Sequence, residues 1–167
     1  ILDAIREKRI LVIGDVILDH YIWGDVSRVS PEAPVPLVDV ERESWAAGGA
    51  ANVASNLVSL ELDPALVGTL GVDANAERLQ EILQQQGIVF NPDFFFFLVT
   101  TITKTRVMAR HQQLCRLDQE MPRNYYNLEF SKHLSWFEEV LEGIDGIILS
   151  DYAKGVLEEE LITGIRR

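Results

Sequence analysis

Residues 9–18 read RILVIGDVIL, a dense β-branched run interrupted by Gly14-Asp15. A stretch this apolar has no polar face to offer water, so it predicts a strand buried on both sides, whose far end opens into a site at the Gly-Asp pair. Such a strand needs packing layers above and below it. Helical spacing supplies them. Val53, Leu57 and Leu60 follow a glycine pair and predict a helix from near Ala50, and Leu79, Ile82 and Leu83 line one face of residues 76–86, with Gly87 as the stop. Leu134, Phe137 and Leu141 mark a third helix over 130–141, and residues 157–165 mark a fourth. Short apolar runs at 65–70, from Ile88, and at 145–150 read as further core strands. Strands alternating with helices indicate a layered α/β fold around a mainly parallel sheet.

Two stretches break that rhythm. From Tyr21 to Trp45 the pattern alternates and is punctuated by Pro31, Pro34 and Pro36, and residues 101–118 alternate again. Alternation with prolines suits exposed strands, so segments of about 20–46 and 100–118 are expected to project from the core as a small separate sheet, a lid. Residues 93–99 contain four consecutive phenylalanines, expected to serve core or interface packing.

The 167 residues, 47% hydrophobic and 25% charged, suit a single globular domain. A net charge of -11 argues against non-specific nucleic-acid or anionic-membrane partners, which require a cationic surface. Cys115 is the only cysteine, which excludes an internal disulfide and a multi-cysteine zinc site. No apolar run is long enough for a membrane span and no secretory signal is visible, so a cytoplasmic protein is expected. The chain opens at Ile1 and closes on Arg166-Arg167 directly after a helical pattern, so both ends read as cut from a longer parent.

Four groups of residues could carry chemistry. Asp15 and Asp19 stand at the carboxyl end of the first strand, where open α/β sheets place ligands; a carboxylate there can accept hydrogen bonds from vicinal hydroxyls, or simply cap a turn. Gly48, Gly49 and Asn52 form a glycine-rich helix entrance, suited either to close approach of a ligand or to tight helix–sheet packing. Along 101–112, Lys104, Arg106, Arg110 and Gln112 share one parity, a row of cations that could meet an anion such as a sugar phosphate, or merely protect an exposed edge. Asp151 and Lys154, in Ser150-Asp151-Tyr152-Ala153-Lys154-Gly155, could contact a phosphate, metal or hydroxyl, or pair with each other. His20, His111 and His133 lack the partners of a metal site or a nucleophile triad. A dinucleotide fingerprint is missing after the first strand, which disfavours a nicotinamide-dependent oxidoreductase.

Taken in order, VIGDVILDHYIWG, SRVSPEAPVPLVDV, GGAANVASNLVSL, TITKTRVMARHQQLCRLDQE and LSDYAKG resemble the heptose-7-phosphate kinase branch of the ribokinase-like (PfkB-type) carbohydrate kinases over nearly the whole chain. The resemblance implies a three-layer fold with a β-sheet lid, residues 1–167 forming the N-terminal part of a kinase domain. It also implies transfer of the γ-phosphoryl of ATP, with Mg2+, to D-glycero-β-D-manno-heptose 7-phosphate, giving the 1,7-bisphosphate on the way to lipopolysaccharide core heptose. Asp15, Asp19, Gly48, Gly49 and Asn52 then become sugar ligands, Lys104 and Arg106 lid contacts to the sugar phosphate, and the lid a homodimer contact. The family's Gly-Ala-Gly-Asp segment, with its catalytic base and anion hole, and an Asn-x-x-Glu associated with magnesium occur nowhere in the sequence, and both are expected after Arg167. The fragment alone is accordingly expected to be inactive and poorly stable. A non-catalytic sugar-phosphate-binding protein is the main alternative, and a purely structural dimerisation module a further one.

Overall fold

The structure, a computed structural model, describes residues 5–6, 8–90, 95–96 and 98–166. Its strands are β1 (Arg9–Gly14), β2 (Val16–Val29), β3 (Pro36–Gly49), β4 (Asp63–Val67), β5 (Leu70–Gly71), β6 (Val89–Phe90), β7 (Phe95–Phe96), β8 (Thr103–Ala109), β9 (Gln112–Gln119) and β10 (Gly146–Ser150). The α-helices are α1 (Ala50–Ser59), α2 (Ala74–Gln85), α3 (Leu134–Leu141) and α4 (Glu159–Ile165).

The central sheet has the order β10-β1-β4-β6, and every pairing in it is parallel. Side chains alternate across a strand, so β1 divides its residues between two cores. Leu11 and Ile13 pack with Tyr126, Phe137 of α3 and Leu161 of α4, whereas Val12 packs with Ala50, Ala51 and Ala54 of α1 and Leu79 and Leu83 of α2. Helices therefore cover both faces, and the expected three-layer α/β arrangement is present. Small residues let α1 lie close to the sheet. The Asp73 carboxylate accepts the Ala76 N–H at 2.8 Å to cap α2, and Gly87, at φ 74°, takes the left-handed turn just beyond the end of that helix.

The run RILVIGDVIL is not one strand. Its last bond to the core sheet is Asp15 N–H to the Ser150 carbonyl at 3.1 Å; from Val16, paired with Gly49, the chain belongs to a second sheet, and the Leu18 N–H reaches the Ile102 carbonyl at 2.8 Å. That sheet has the order β3-β2-β8-β9, with β2 antiparallel to β3, parallel to β8, and β8 antiparallel to β9. Val16, Ile17 and Leu18 are buried at the junction, which is why apolar character continues across a change of sheet. The first two strands of this sheet run from Val16 to Gly49, around the segment of about 20–46 expected to project.

Nor is 101–112 one strand. The chain reverses at Arg110, at φ 54°, and Ala109 faces Gln112 across the resulting hairpin. Arg110 leaves the expected row of cations and instead donates to the Asp25 carboxylate at 2.9 and 3.4 Å, an exposed pair that holds the Asp25 carboxyl below its usual range. Of the phenylalanine tract, Phe95–Phe96 pair in parallel with Leu70–Gly71. Phe94 and Phe97 lie outside the described residues, as do the side chains on which the expected packing role rests.

Tyr126 is fully buried and joins three connecting segments. Its hydroxyl donates to the Thr100 carbonyl at 2.8 Å and accepts the Met121 N–H at 2.7 Å, while its own carbonyl accepts from Thr69 Oγ1 at 2.9 Å. Tyr126→Phe leaves an amide and a carbonyl without partners and is expected to cost about 1–3 kcal/mol, read as a lower thermal midpoint. Burial pushes the phenol above its ordinary value. The folded chain therefore holds this proton more tightly than the unfolded one. Its contribution is complete below an unfolded value of about 10 and is lost as pH rises through the higher folded value, a decline that the Tyr126→Phe variant should not show.

Candidate functional site

β1 is flanked by β4 on one side and β10 on the other, so the chain's winding direction switches between β1 and β10, and ligands of open α/β sheets bind beyond the strand ends at such a point. A cleft of about 360 Å3 lies there, lined by Asp19, Tyr21, Gly48, Asn52, Lys104, Arg106 and Tyr152 together with Ile17, Ala46, Ala47 and Gly49. That volume matches a small polyhydroxylated ligand.

Register explains how these residues meet. Asp19 and Tyr21 share a face of β2; β8 runs parallel beside it, setting Lys104 opposite Asp19 and Arg106 opposite Tyr21. On the other side β3 places Ala46 opposite Asp19, so only a methyl group borders the carboxylate there. Two glycines then admit the neighbouring groups. A β-carbon at Gly48 would overlap the Asp19 carboxylate, and one at Gly49 would overlap the Asp15 carbonyl. Gly49 also sits at φ 56°, ψ -133°, a conformation suited to glycine, and serves as the N-cap of α1. Asn52, exposed in the first turn of that helix, is part of the cleft lining.

Charge within the cleft is unevenly committed. The Arg106 Nη1 donates to Asp19 Oδ1 at 2.6 Å, with both side chains about four-fifths covered, and this bond raises the Arg106 pKa above its ordinary value. The guanidinium also lies 5.2 Å from the Tyr21 ring centroid. Lys104 forms no ion pair among the described residues; its Nζ stands 5.6 Å from the Tyr152 ring centroid. Asp19 can still accept from hydroxyls through its remaining lone pairs, Asn52 can both donate and accept, and Lys104 has three donors for an anion. This set can bind and orient a hydroxylated anion. It contains no uncommitted carboxylate that would serve as a general base.

Two expected ligands lie elsewhere. Asp15 is fully buried and absent from the cleft wall; Oδ2 accepts the backbone N–H of Tyr152 at 2.8 Å and of Lys154 at 3.0 Å, and Oδ1 that of Val156 at 3.1 Å. Three backbone amides thus meet its two oxygens, and the residue is not among those lining the cleft where a sugar contact was expected. Asp151 is exposed and accepts the Ala153 N–H at 2.7 Å, a local turn bond outside the cleft. Lys154 does not pair with Asp151 but with Glu120, at 2.6 Å. Tyr21, Ala46 and Tyr152 were not anticipated as lining residues. Tyr21 could have been inferred from its parity with Asp19, whereas nothing local distinguishes Tyr152.

The described residues contain no cluster of three or more His, Cys, Asp or Glu side chains able to hold a metal ion. A larger cleft of about 730 Å3 between α3 and α4, bordered by Leu134, Leu141 and Ile165, shares no residue with the site. No helix among the described residues is long and apolar enough to cross a membrane.

No protein-family model matches the chain. Among characterised sequences, the bifunctional protein HldE of Magnetococcus marinus is 47% identical over 166 residues, spanning 95% of this chain and 33% of that protein. The HldE protein of Helicobacter pylori is 46% identical over 155 residues, spanning 92% of this chain and again 33% of the relative. The chain thus spans about a third of the length of the relatives it matches. Among solved structures, the Arabidopsis thaliana ribokinase complexed with ribose and ATP superposes with a TM-score of 0.68 at 15% identity, covering 95% of this chain and 50% of that one.

Proposed function

The chain carries the ribokinase-like fold and is homologous over most of its length to a third of the bifunctional HldE proteins, and on that premise we propose that it is the sugar-binding part of an ATP-dependent sugar kinase. The substrate we assign is D-glycero-β-D-manno-heptose 7-phosphate, phosphorylated at the anomeric oxygen to the 1,7-bisphosphate in the heptose branch of lipopolysaccharide synthesis. The single observation carrying this reading is the convergence of Asp19, Asn52 and Lys104 on one cleft at the switch point of the sheet.

The residues divide the task by chemistry. Asp19, oriented by Arg106, accepts from sugar hydroxyls, Asn52 contributes an amide from the start of α1, and Lys104 meets the phosphate as a charge that no ion pair among the described residues neutralises. ATP supplies the transferred phosphoryl group when bound. Efficient transfer requires positioning and charge neutralisation around that group, together with a base for the accepting hydroxyl. Asp19, already engaged by Arg106, is not that base, so a base, an ATP pocket and a Mg2+ site belong to the longer parent. We further propose, from the family resemblance alone, that the parent is a cytoplasmic enzyme that dimerises through the sheet of β2, β3, β8 and β9. The absence of an uncommitted carboxylate in the cleft favours a second reading for this chain taken alone, binding of sugar phosphate without turnover.

Calorimetric titration with heptose 7-phosphate, unphosphorylated heptose and ATP, each added separately, tests the assignment. The 7-phosphate should bind more tightly than the free sugar, and Lys104→Ala should remove most of that difference, roughly tenfold in affinity. Equal affinities for the two sugars in the unaltered chain would discard the phosphate-binding role of Lys104. Phosphoryl transfer by the full-length parent, or its absence there, separates the kinase from a non-catalytic binding protein.

A further inference from the structure

Asp15 is the only buried charged side chain among the described residues, and the reading above gives it no ligand. Removing a carboxylate from water costs several kcal/mol unless hydrogen bonds replace its hydration. Here three backbone amides do so, those of Tyr152, Lys154 and Val156, at 2.8, 3.0 and 3.1 Å. Alternate amides converge on one carboxylate only if the intervening residues curl around it. Ala153 at φ 58° and Gly155 at φ 113° provide that curl, and an alanine in the left-handed region is strained unless its surroundings hold it there. Asp151 bonds the Ala153 N–H from the outer side of the same turn.

The turn presents one group to the cleft. Tyr152 is half exposed and lines the cleft, and the Nζ of Lys104, another lining residue, stands 5.6 Å from its ring centroid. The lining holds a second aromatic ring, Tyr21, but that one is faced by the Arg106 guanidinium at 5.2 Å; the Tyr152 face offers an apolar platform, and the C–H face of a pyranose is the complementary surface. Ammonium–ring attraction also restrains Lys104 on that side.

We propose that Asp15 is a positioning residue whose buried carboxylate templates the 152–156 turn, so that the Tyr152 ring stands in the cleft as a platform for the sugar ring beside Lys104. This inference rests on the reading of the cleft as a sugar-phosphate site. It reassigns Asp15 from direct ligand to support of an aromatic contact.

The test uses the chain as it stands, with heptose 7-phosphate and inorganic phosphate as probes. Tyr152→Ala should weaken heptose 7-phosphate binding about five- to tenfold while changing inorganic phosphate binding less than about twofold, and Tyr152→Phe should retain wild-type affinity. Asp15→Asn should accelerate hydrogen exchange at the amides of 152, 154 and 156 and weaken sugar-phosphate binding by a similar factor. The double variant should show no further loss, the non-additivity expected when one residue acts through the other. Additive losses, wild-type affinity in Tyr152→Ala, or unchanged exchange in Asp15→Asn would each overturn the proposal. Should Asp15→Asn not fold, exchange in the unaltered chain decides: amides of 152, 154 and 156 as fast as those of the exposed turn at His111 overturn it, and protected ones support it. If the unaltered chain binds no heptose 7-phosphate, the functional assignment fails, while amide protection still reports on the template.

Discussion

Asp19→Ala is expected to lower affinity for heptose 7-phosphate about a hundredfold, equivalent to ~2.7 kcal/mol, with a smaller loss in thermal midpoint. The size follows from two losses at one point. The cleft loses its only lining carboxylate, and with it the charged acceptor for sugar hydroxyls; the Arg106 guanidinium, now anchored at 2.6 Å, loses the partner that orients it. Fold stability should fall less than affinity: Asp19 lies outside both cores, and the cost is limited to leaving the four-fifths-covered Arg106 guanidinium without its partner. Asp19→Asn, which keeps shape and removes charge, should fall between the two. Calorimetry and thermal denaturation on the same samples separate the effects. An affinity within about threefold of the unaltered chain would remove Asp19 from the site and with it the central support for the functional assignment.

Gly14→Ala is expected to be the most damaging single-methyl change, about 3–5 kcal/mol and on the order of 10 °C in thermal midpoint. A β-carbon there would overlap the Ser150 carbonyl, a backbone atom of the neighbouring strand that cannot turn aside like a side chain. That carbonyl also accepts the Asp15 N–H, the last bond before the chain leaves the central sheet. Relief therefore requires β1 and β10 to separate at the end that carries both Asp15 and the turn bearing Tyr152, and ligand affinity should fall together with stability. A midpoint within about 2 °C of the unaltered chain would show that the two strands are less closely apposed than described.

The corrected expectations share one cause. RILVIGDVIL was read as a single strand because every residue but the Gly-Asp pair is apolar or adjacent to an apolar run, and local pattern cannot register that Leu18 bonds Ile102 instead of continuing the central sheet. The row Lys104, Arg106, Arg110, Gln112 obeys strand parity until Arg110 turns left-handed, a conformation less common for arginine than for glycine or asparagine and thus invisible to propensity. Asp15 and Asp19 looked alike as acidic residues near one strand end. One is enclosed by three amides from a segment about 140 residues distant, and the other lines the cleft.

Sequence alone established the alternation of helices and strands, the two-sided burial of β1, the helix entrance at Ala50, and the pairing of Lys104 with Arg106 on one face. Each of these follows from a period of 2 or 3.6 residues and from the steric demands of glycine, which act over a few positions. Tertiary structure alone decided which acid lines the cleft, that Tyr152 enters the wall, and that β2 leaves the central sheet for the second one. Those outcomes depend on which distant backbone amides and strands lie alongside, and hydrogen bonds across such separations leave no period in the sequence that forms them.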